Sequence, residues 1–358
     1  MRTAVPQAMC RPTRSLGWRS RLVVVIGVGL ASVGASRAAD WQGPTSGPPA
    51  PPGKHITVVA ENMHNDGIAG LIDAMKEAAA VLDWHLDILD AGGDGQRLSV
   101  ALKAASGEAG GRVDGLVLVG MDAVRNMPDF GDSVDASQLP VVGWHVGPQP
   151  GPVASTPVAV NITTDPAEVA RLAADQVIQH PDGHAGVVIF TDYQYAIAVA
   201  KARVMANSIR GCEQCTLLEV VDLPLAETAT RMGEEIDRLR SLYGYALTHI
   251  LAINDLYFDD ATGELLREDV PPDHLSLISA GDGSPSARDR IRRGYYQTAT
   301  VAEPLPLQAW QLLDELNRVM AHQPVSGFVA SPIVITGSQT SPATEGDFRG
   351  VYRKIWGR

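Results

Sequence analysis

The sequence has few cysteines and no cluster of basic residues outside its N-terminus. Three of its 358 residues are cysteine, and 41 acidic residues outnumber 29 Lys and Arg, which gives a formal net charge of -12. This balance argues against a nucleic-acid partner, because phosphate binding requires clustered Lys and Arg. The hydrophobic content is 45%, so the chain can bury one large core or two ordinary ones. We expect two.

Motifs of known catalytic centres are also missing. The chain has no Gly-x-Ser-x-Gly elbow, no His-Glu-x-x-His pair and no phosphate-binding loop. The glycine-rich residues 92–95 have the wrong pattern for a dinucleotide fingerprint, and we interpret them as a turn. Glu61 and His64 alone do not make a metal site. We therefore expect no enzymatic activity, no cofactor and no metal.

An apolar run near the N-terminus, residues 22–30, is too short for a membrane anchor. Arginines precede it, and Ser36 and Ala38 fit the -3 and -1 positions of a cleavage site. The pattern predicts a secretory signal peptide over residues 1–38. Cys10 would leave with it. In an oxidising compartment, Cys212 and Cys215 most simply form a disulfide, with a redox centre or a zinc site as the alternatives.

After a lead-in rich in Pro and Gly, residues 39–53, apolar strands alternate with amphipathic helices in two successive series. The predicted strands are residues 56–60, 86–89, 115–119 and 141–144, then 185–190, 216–221, 249–253, 275–279, 297–301 and 333–335. Strands that alternate with helices indicate parallel sheets covered on both faces. The sequence therefore predicts an α/β protein with two lobes. We assign no element to the polar tail, residues 341–358.

One strand stops abruptly at polar residues. The apolar run 250–253 has the continuous pattern of a strand buried on both faces, and Asn254 and Asp255 follow it directly. Ligands of open α/β sheets bind outside the carboxyl ends of such strands. These two residues are therefore candidates for ligand contact, with capping of the next helix as the alternative.

The order of elements, together with short motifs at strand ends, resembles the type I periplasmic binding proteins. The similarity is to the ribose- and galactose-binding branch, which also supplies the effector domains of LacI repressors, and it covers about residues 54–336. The motifs are Thr57-Val58-Val59, Asp114-Gly115-Leu116-Val117-Leu118, Leu139-Pro140-Val141-Val142, Ala252-Ile253-Asn254-Asp255, Gly281-Asp282-Gly283 and Thr298-Ala299-Thr300-Val301-Ala302-Glu303. A repressor is not expected, because the signal peptide stands where a helix-turn-helix would be.

The resemblance implies two Rossmann-like lobes joined by three crossing segments, near residues 161–162, 303–304 and 332. The N-terminal lobe would then comprise residues 54–161 and 304–331, and the C-terminal lobe residues 162–303 and 332–340. It further implies a periplasmic, monomeric protein that captures a sugar, polyol or related ligand between the lobes and delivers it to an ABC-type permease. The alternative is a sensor subunit that presents its ligand-bound form to a histidine kinase or chemoreceptor.

By the same resemblance, Asn254 and Asp282 match the family's ligand-binding amide and carboxylate, and Glu303 lies where sugar binders have a polar group. The further candidates are Asn65, Asp66, Trp144, His145 and Asp255. Helix capping is the alternative for Asp66, and core packing is the alternative for Trp144.

The chain also departs from the family pattern. No aromatic residue follows Asn65, His145 replaces a usual Asp-Arg pair, and an apolar residue at about Val199 replaces a usual arginine. With only His64 and His145 as possible cations among many carboxylates, we expect a neutral or cationic ligand.

Overall fold

The computed structural model describes residues 41–105, 112–179, 183–267, 270–337 and 346–358. The expected signal peptide lies outside these residues. None of the described helices is long and apolar enough to cross a membrane.

The first sheet has five parallel strands in the order β2-β1-β3-β4-β5. The strands are β1 (His55–Ala60), β2 (His85–Asp90), β3 (Gly115–Val119), β4 (Val141–Trp144) and β5 (Val158–Ile162). The helices beside them are α1 (Asp66–Leu82), α2 (Gly95–Lys103), α3 (Ala123–Ser137) and, from later in the chain, α9 (Leu305–Met320). We call this sheet and its helices the first lobe.

Strand β3 shows why the first lobe buries its sheet on both sides. Val117 and Val119 pack into the core formed with α1 and α9, whereas Leu116 and Leu118 pack into the core formed with α2 and α3. Successive side chains of a strand point to opposite faces, so a strand covered on both faces is apolar throughout. The continuous apolar pattern in the sequence therefore predicted this strand correctly.

The second sheet has the order β11-β10-β9-β8-β6-β7. Its strands are β6 (Ala185–Thr191), β7 (Cys215–Asp222), β8 (His249–Ala252), β9 (Ser276–Ser279), β10 (Gln297–Ala302) and β11 (Ile333–Thr336), of which β11 alone is antiparallel to its neighbour. Its helices are α4 (Pro166–Ile178), α5 (Ala196–Arg210), α6 (Thr228–Tyr243), α7 (Leu256–Arg267) and α8 (Pro285–Arg293). These elements form the second lobe, and the two sheets confirm the predicted α/β class.

The chain passes between the sheets at three places. It leaves the first sheet between β5 and α4, returns between β10 and α9, and leaves again between α9 and β11. Helix α9 packs against β4 and β5, and α4 packs against β9 and β10. The first two of these segments lie side by side and contribute to the site described below.

Strand β5 and two helices had no counterpart among the predicted elements. Helix α3 contains Pro128, three Asp residues and one Gly, all of which lower helix propensity. Helix α10 (Phe348–Trp356) lies in the tail to which we assigned no element. It is short, and its apolar residues make a helix face only when they pack against α9.

Helix α10 and the N-terminal lead-in together cover α9. The Trp356 ring stacks on Trp310 with centroids 5.1 Å apart, and its indole N–H donates a 2.9 Å hydrogen bond to Asp314. Asn317 donates to the Pro48 carbonyl at 2.9 Å. This cover explains why α9 is buried along most of its length despite its polar residues.

Cys212 and Cys215 lie at the turn between α5 and β7, and their sulfur atoms are 2.10 Å apart, at disulfide distance. Both cysteines are remote in sequence from the strand ends that carry the candidate ligand residues. We therefore regard the pair as part of the scaffold of the second lobe.

We predict that Trp356→Ala lowers the free energy of unfolding by about 3–5 kcal/mol, because it removes a buried aromatic ring and leaves a cavity against α9. The measurement is urea unfolding followed by circular dichroism. Lys354→Ala is the matched control, since this exposed residue is on the same helix and its loss should change stability by no more than about 0.5 kcal/mol. Equal stabilities for the two variants would contradict the packing of α10 on α9.

Candidate functional site

The polar strand ends of the two lobes face each other across a narrow cavity of about 60 Å³. Residues from both lobes line it: Glu61, Asn65, Ile68, Gly120, Trp144, His145, Tyr195, Ile197, Ala198, Lys201, Leu225, Ile253, Asn254 and Asp282. Of the eight candidates from the sequence, five are in this set: Asn65, Trp144, His145, Asn254 and Asp282. The lining does not include Asp66, Asp255 or Glu303.

Asn254 and Asp282 form the polar centre of the second lobe's wall. The Asn254 amide donates a 2.8 Å hydrogen bond to Asp282 Oδ2, and its own Oδ1 accepts from the Leu256 N–H at 2.9 Å, which caps α7. Asp282 Oδ1 is buried and has no partner among the described residues. Burial raises the pKa of the Asp282 carboxyl, although the charges of His145 and Lys201 act in the opposite direction. The site therefore holds one buried acceptor that is unused.

Asp255, a predicted ligand residue, is not among the residues that line the cavity, and its carboxylate bonds to protein groups. Its Oδ2 accepts from the N–H groups of Asp282 at 3.0 Å and Gly283 at 2.8 Å. Its Oδ1 accepts from the Gln297 amide at 2.8 Å and from the Ser279 hydroxyl. With both oxygens satisfied, Asp255 holds the loop that presents Asp282.

Glu303 is likewise occupied by protein groups, at the point where the two crossing segments meet. Its carboxylate accepts from the Thr164 N–H at 3.1 Å, the Thr164 hydroxyl at 2.7 Å and the Gln308 amide at 2.5 Å. His145 Nε2 lies 3.3 Å from Oε1, a charge contact without hydrogen-bond geometry. Burial alone would raise the pKa of Glu303, but His145, Lys201 and Thr164 together lower it to about 2. These bonds link Glu303 to both of the adjacent crossing segments, which we call the hinge, and its expected ligand contact stays a prediction.

Trp144 and His145 form a stacked pair at the end of β4, with centroids 3.6 Å apart and an interplanar angle of 10°. The Trp144 indole N–H donates a 2.8 Å hydrogen bond to Gln308, and the residue is part of the first lobe's core. His145 covers one face of the indole. Core packing, the alternative that the sequence left open, therefore describes most of the Trp144 surface.

Lys201 lines the cavity and was not among the candidates from the sequence. Lys201 lies on α5 and is only 4% exposed. Its ammonium donates a 2.8 Å hydrogen bond to the Ala280 carbonyl. The ammonium makes no other hydrogen bond to a described residue. Among the described residues, Lys201 lines the cavity, so our expectation that His64 and His145 were the only possible cations was wrong. Val199, which we placed at the family's arginine position, is instead 38% exposed.

A signal for Lys201 does exist in the sequence. It shares the inward face of α5 with Ala198, Ala202 and Met205, at the i, i+3, i+4 and i+7 spacing of a buried helix stripe. A lysine within such a stripe is unusual, because burying its charge is costly unless a partner or a ligand is near.

Contacts between the lobes surround the cavity. Burial raises the pKa of Glu61 at the end of β1, and a hydrogen bond from Tyr195 of the second lobe partly offsets this. At the exposed rim, Arg125 donates to the Gln194 side chain at 3.0 Å, and Asp122 accepts from the Ala196 N–H at 3.3 Å. The two lobes are therefore closed on each other.

The first turn of α1 lies against Asp282 of the second lobe. Asn65 caps α1 by accepting from the Gly67 N–H at 2.9 Å, and Asp66 is the half-buried first residue of that helix. A Cβ atom at Gly67 would lie 2.1 Å from Asp282 Oδ2. The absence of a side chain at position 67 thus allows the second lobe to approach the start of α1.

No protein-family profile matches the chain, and no curated protein matches it in sequence. Solved structures do match it in fold. GanP, a glucose-galactose binding protein from Geobacillus stearothermophilus, is 16% identical with a TM-score of 0.68, over 80% of this chain and 98% of that one. An ABC transporter solute-binding protein from Agrobacterium vitis with bound allitol is 15% identical with a TM-score of 0.67, over 80% and 97%.

The myo-inositol binding protein of Caulobacter is also similar, at 16% identity and a TM-score of 0.66, over 80% of this chain and 94% of that one. These likenesses confirm, at the level of fold, the resemblance seen in the sequence. The chain has the two-lobe fold of the type I periplasmic sugar- and polyol-binding proteins.

We predict that Gly67→Ala prevents the lobes from closing fully, because its Cβ would overlap Asp282, which is buried and held by Asn254. The measurement is the radius of gyration by small-angle X-ray scattering, which should increase. Gly70→Ala is the matched control on the same helix, since its Cβ would meet only Leu305 Cδ1, at 3.4 Å. Both variants gain helix propensity. Identical radii for all three proteins would contradict the Gly67–Asp282 contact.

Proposed function

We propose that the chain is an exported, monomeric solute-binding protein that captures a small neutral sugar or polyol between its lobes and delivers it to an ABC-type permease. The observation that carries this proposal is the unused Asp282 Oδ1, which is buried in the cleft together with the Lys201 ammonium and the Asn254 amide. A carboxylate accepts hydroxyl hydrogens, an ammonium donates to hydroxyl oxygens, and an amide can do both.

The charges around the cavity favour a neutral ligand. Glu61 and Asp282 would repel an anion, and Lys201 would repel a cation close to Asp282. Lys201 thus weakens the case for the cationic ligand that the sequence left open. A polyhydroxylated ligand avoids both repulsions and can still pair with all three groups.

Entry of such a ligand requires the lobes to separate. The cavity of about 60 Å³ is far below the roughly 300 Å³ at which ligand pockets begin. A ligand that pairs with groups on both lobes would stabilise a closed state by its differential affinity for that state. A membrane partner could then bind the closed state selectively.

The comparisons support this function without extending it to a particular ligand. The solved structures of this fold include proteins described as binding glucose and galactose, allitol or myo-inositol, and some are described as ABC transporter components. The predicted signal peptide and the cysteine pair support export to the periplasm. Within the described residues, no group of three or more His, Cys, Asp or Glu could hold a metal ion. We propose that the ligand is released chemically unchanged.

The sensor alternative would use the same fold and cleft. It differs in the membrane partner, which would be a histidine kinase or chemoreceptor rather than a permease. Genes encoding a permease and an ATPase beside the gene for this chain would support transport, and a kinase gene there would support sensing.

We predict that isothermal titration calorimetry with glucose, galactose, allitol and myo-inositol detects binding of at least one of them. Asp282→Ala and Lys201→Ala should each weaken that binding by about 1–3 kcal/mol, because each leaves a ligand group unpaired in the closed cleft. Asn254→Ala should do the same for the same reason.

The matched control for Asp282→Ala is Asp73→Ala, which removes an exposed carboxylate on α1. Its affinity should equal that of the unmutated protein. Unchanged affinity in both Asp282→Ala and Lys201→Ala would refute the site, and chemical conversion of the ligand would refute the binding-protein function.

A further inference from the structure

His145 contacts both of the adjacent crossing segments between the lobes. Its backbone N–H donates a 3.2 Å hydrogen bond to the carbonyl of Ile162, where the first crossing begins. Its ring nitrogen lies 3.3 Å from Glu303, in the second crossing. The ring also stacks on Trp144, which is bonded to Gln308 near the start of α9. One residue of the first lobe therefore contacts two of the three segments that join the lobes.

The backbone of His145 is left-handed, with φ of 54°. This conformation is unfavourable for a residue with a Cβ atom, and glycine or asparagine would relieve part of the strain. Such strain persists where surrounding contacts over-determine it. Three contacts hold His145 in this conformation: the hydrogen bond to Ile162, the stacking on Trp144 and the contact with Glu303. They direct its ring towards the hinge.

The titratable groups around the ring belong to the second lobe, to the hinge and to the first lobe itself. They are Lys201 on α5, Asp255 before α7, Asp282 after β9, Glu303 after β10 and Glu61 after β1. The charge of His145 acts on both Asp282 and Glu303. A proton on the ring would thus attract buried carboxylates of the second lobe and the hinge, against repulsion from a single ammonium.

We propose that His145 is a positioning residue through which protonation favours the closed arrangement of the two lobes. The first consequence, a closure that depends on pH in the empty protein, needs only the two-lobe fold. The second, tighter ligand retention at lower pH, rests on the proposed function.

The direction of the effect follows from the charges. Closure should increase as the pH falls from 8 towards 6, because a proton on the ring adds the attraction described above. At still lower pH the gain should diminish, because burial raises the pKa of Asp282 and its protonation removes one of the attracting carboxylates. Closure should therefore be greatest at mildly acidic pH.

The test measures the distance between spin labels on cysteines introduced by Asp73→Cys in α1 and Asp237→Cys in α6, which are exposed sites on different lobes. Without ligand, the ratio of closed to open molecules should rise at least about fivefold between pH 8 and pH 6. A factor of about five is the lower end of typical allosteric coupling. His145→Asn should abolish this rise, because asparagine tolerates the left-handed backbone but its side chain does not become charged.

His85→Gln is the matched control, because His85 is an exposed histidine at the far end of β2, and its response should equal that of the unmutated protein. Glu303→Gln is a second variant that keeps His145 and should reduce the rise. A rise that survives in His145→Asn, or no rise in the unmutated protein, would overturn the proposal.

Ligand retention is tested in a separate experiment. For any sugar or polyol that binds, affinity should increase between pH 8 and pH 6 in the unmutated protein and stay constant in His145→Asn. If no ligand in the panel binds but closure depends on pH through His145, the proposed function fails while the hinge proposal stands. If a ligand binds but closure is independent of pH, the hinge proposal fails alone.

Discussion

The buried carboxylate of Glu303 holds together the two adjacent segments that connect the lobes. It accepts two hydrogen bonds from Thr164 in the first crossing and one from Gln308 in α9, and it lies in the second crossing itself. Because Gln308 also accepts from Trp144, the same set of bonds reaches the floor of the cleft. A buried charge is stable only when it is paired and hydrogen-bonded. The position of every cleft residue in the first lobe relative to the hinge therefore depends on this carboxylate.

The carboxylates at strand ends differ in whether protein donors occupy both of their oxygens. Asp255 and Glu303 have both oxygens occupied by protein donors, whereas Asp282 has one oxygen without a described partner. Asp255 also bonds the backbone at Asp282, so one satisfied acid positions the unsatisfied one. This division explains why residues of the same type at similar strand positions take different roles.

Ten of the eleven described strands and most helices could be predicted because their patterns are local, whereas β5 had no counterpart among the predicted strands. Strand β3 is apolar throughout, and Asn254 and Asp282 follow strands directly, so their meeting at one edge of a sheet follows from topology. Helix α10 could not be predicted, because its apolar face has meaning only against α9. On α5, we considered the exposed Val199 and missed the buried Lys201. Two residues on a helix correspond to a rotation of about 200°, which moves a side chain to the opposite face.

The closed arrangement of the cleft is favoured by weak rim contacts and opposed by one buried acceptor without a donor. The rim bonds of Arg125 and Asp122 to the second lobe are exposed, and exposed polar contacts contribute at most about 1 kcal/mol each. Against them, a buried acceptor without a donor costs about 1–3 kcal/mol, and Asp282 Oδ1 is such an acceptor. A hydroxylated ligand that donates to this oxygen removes the cost only in the closed state, where the oxygen is buried. That difference between the two states is the free energy with which ligand binding would close the lobes.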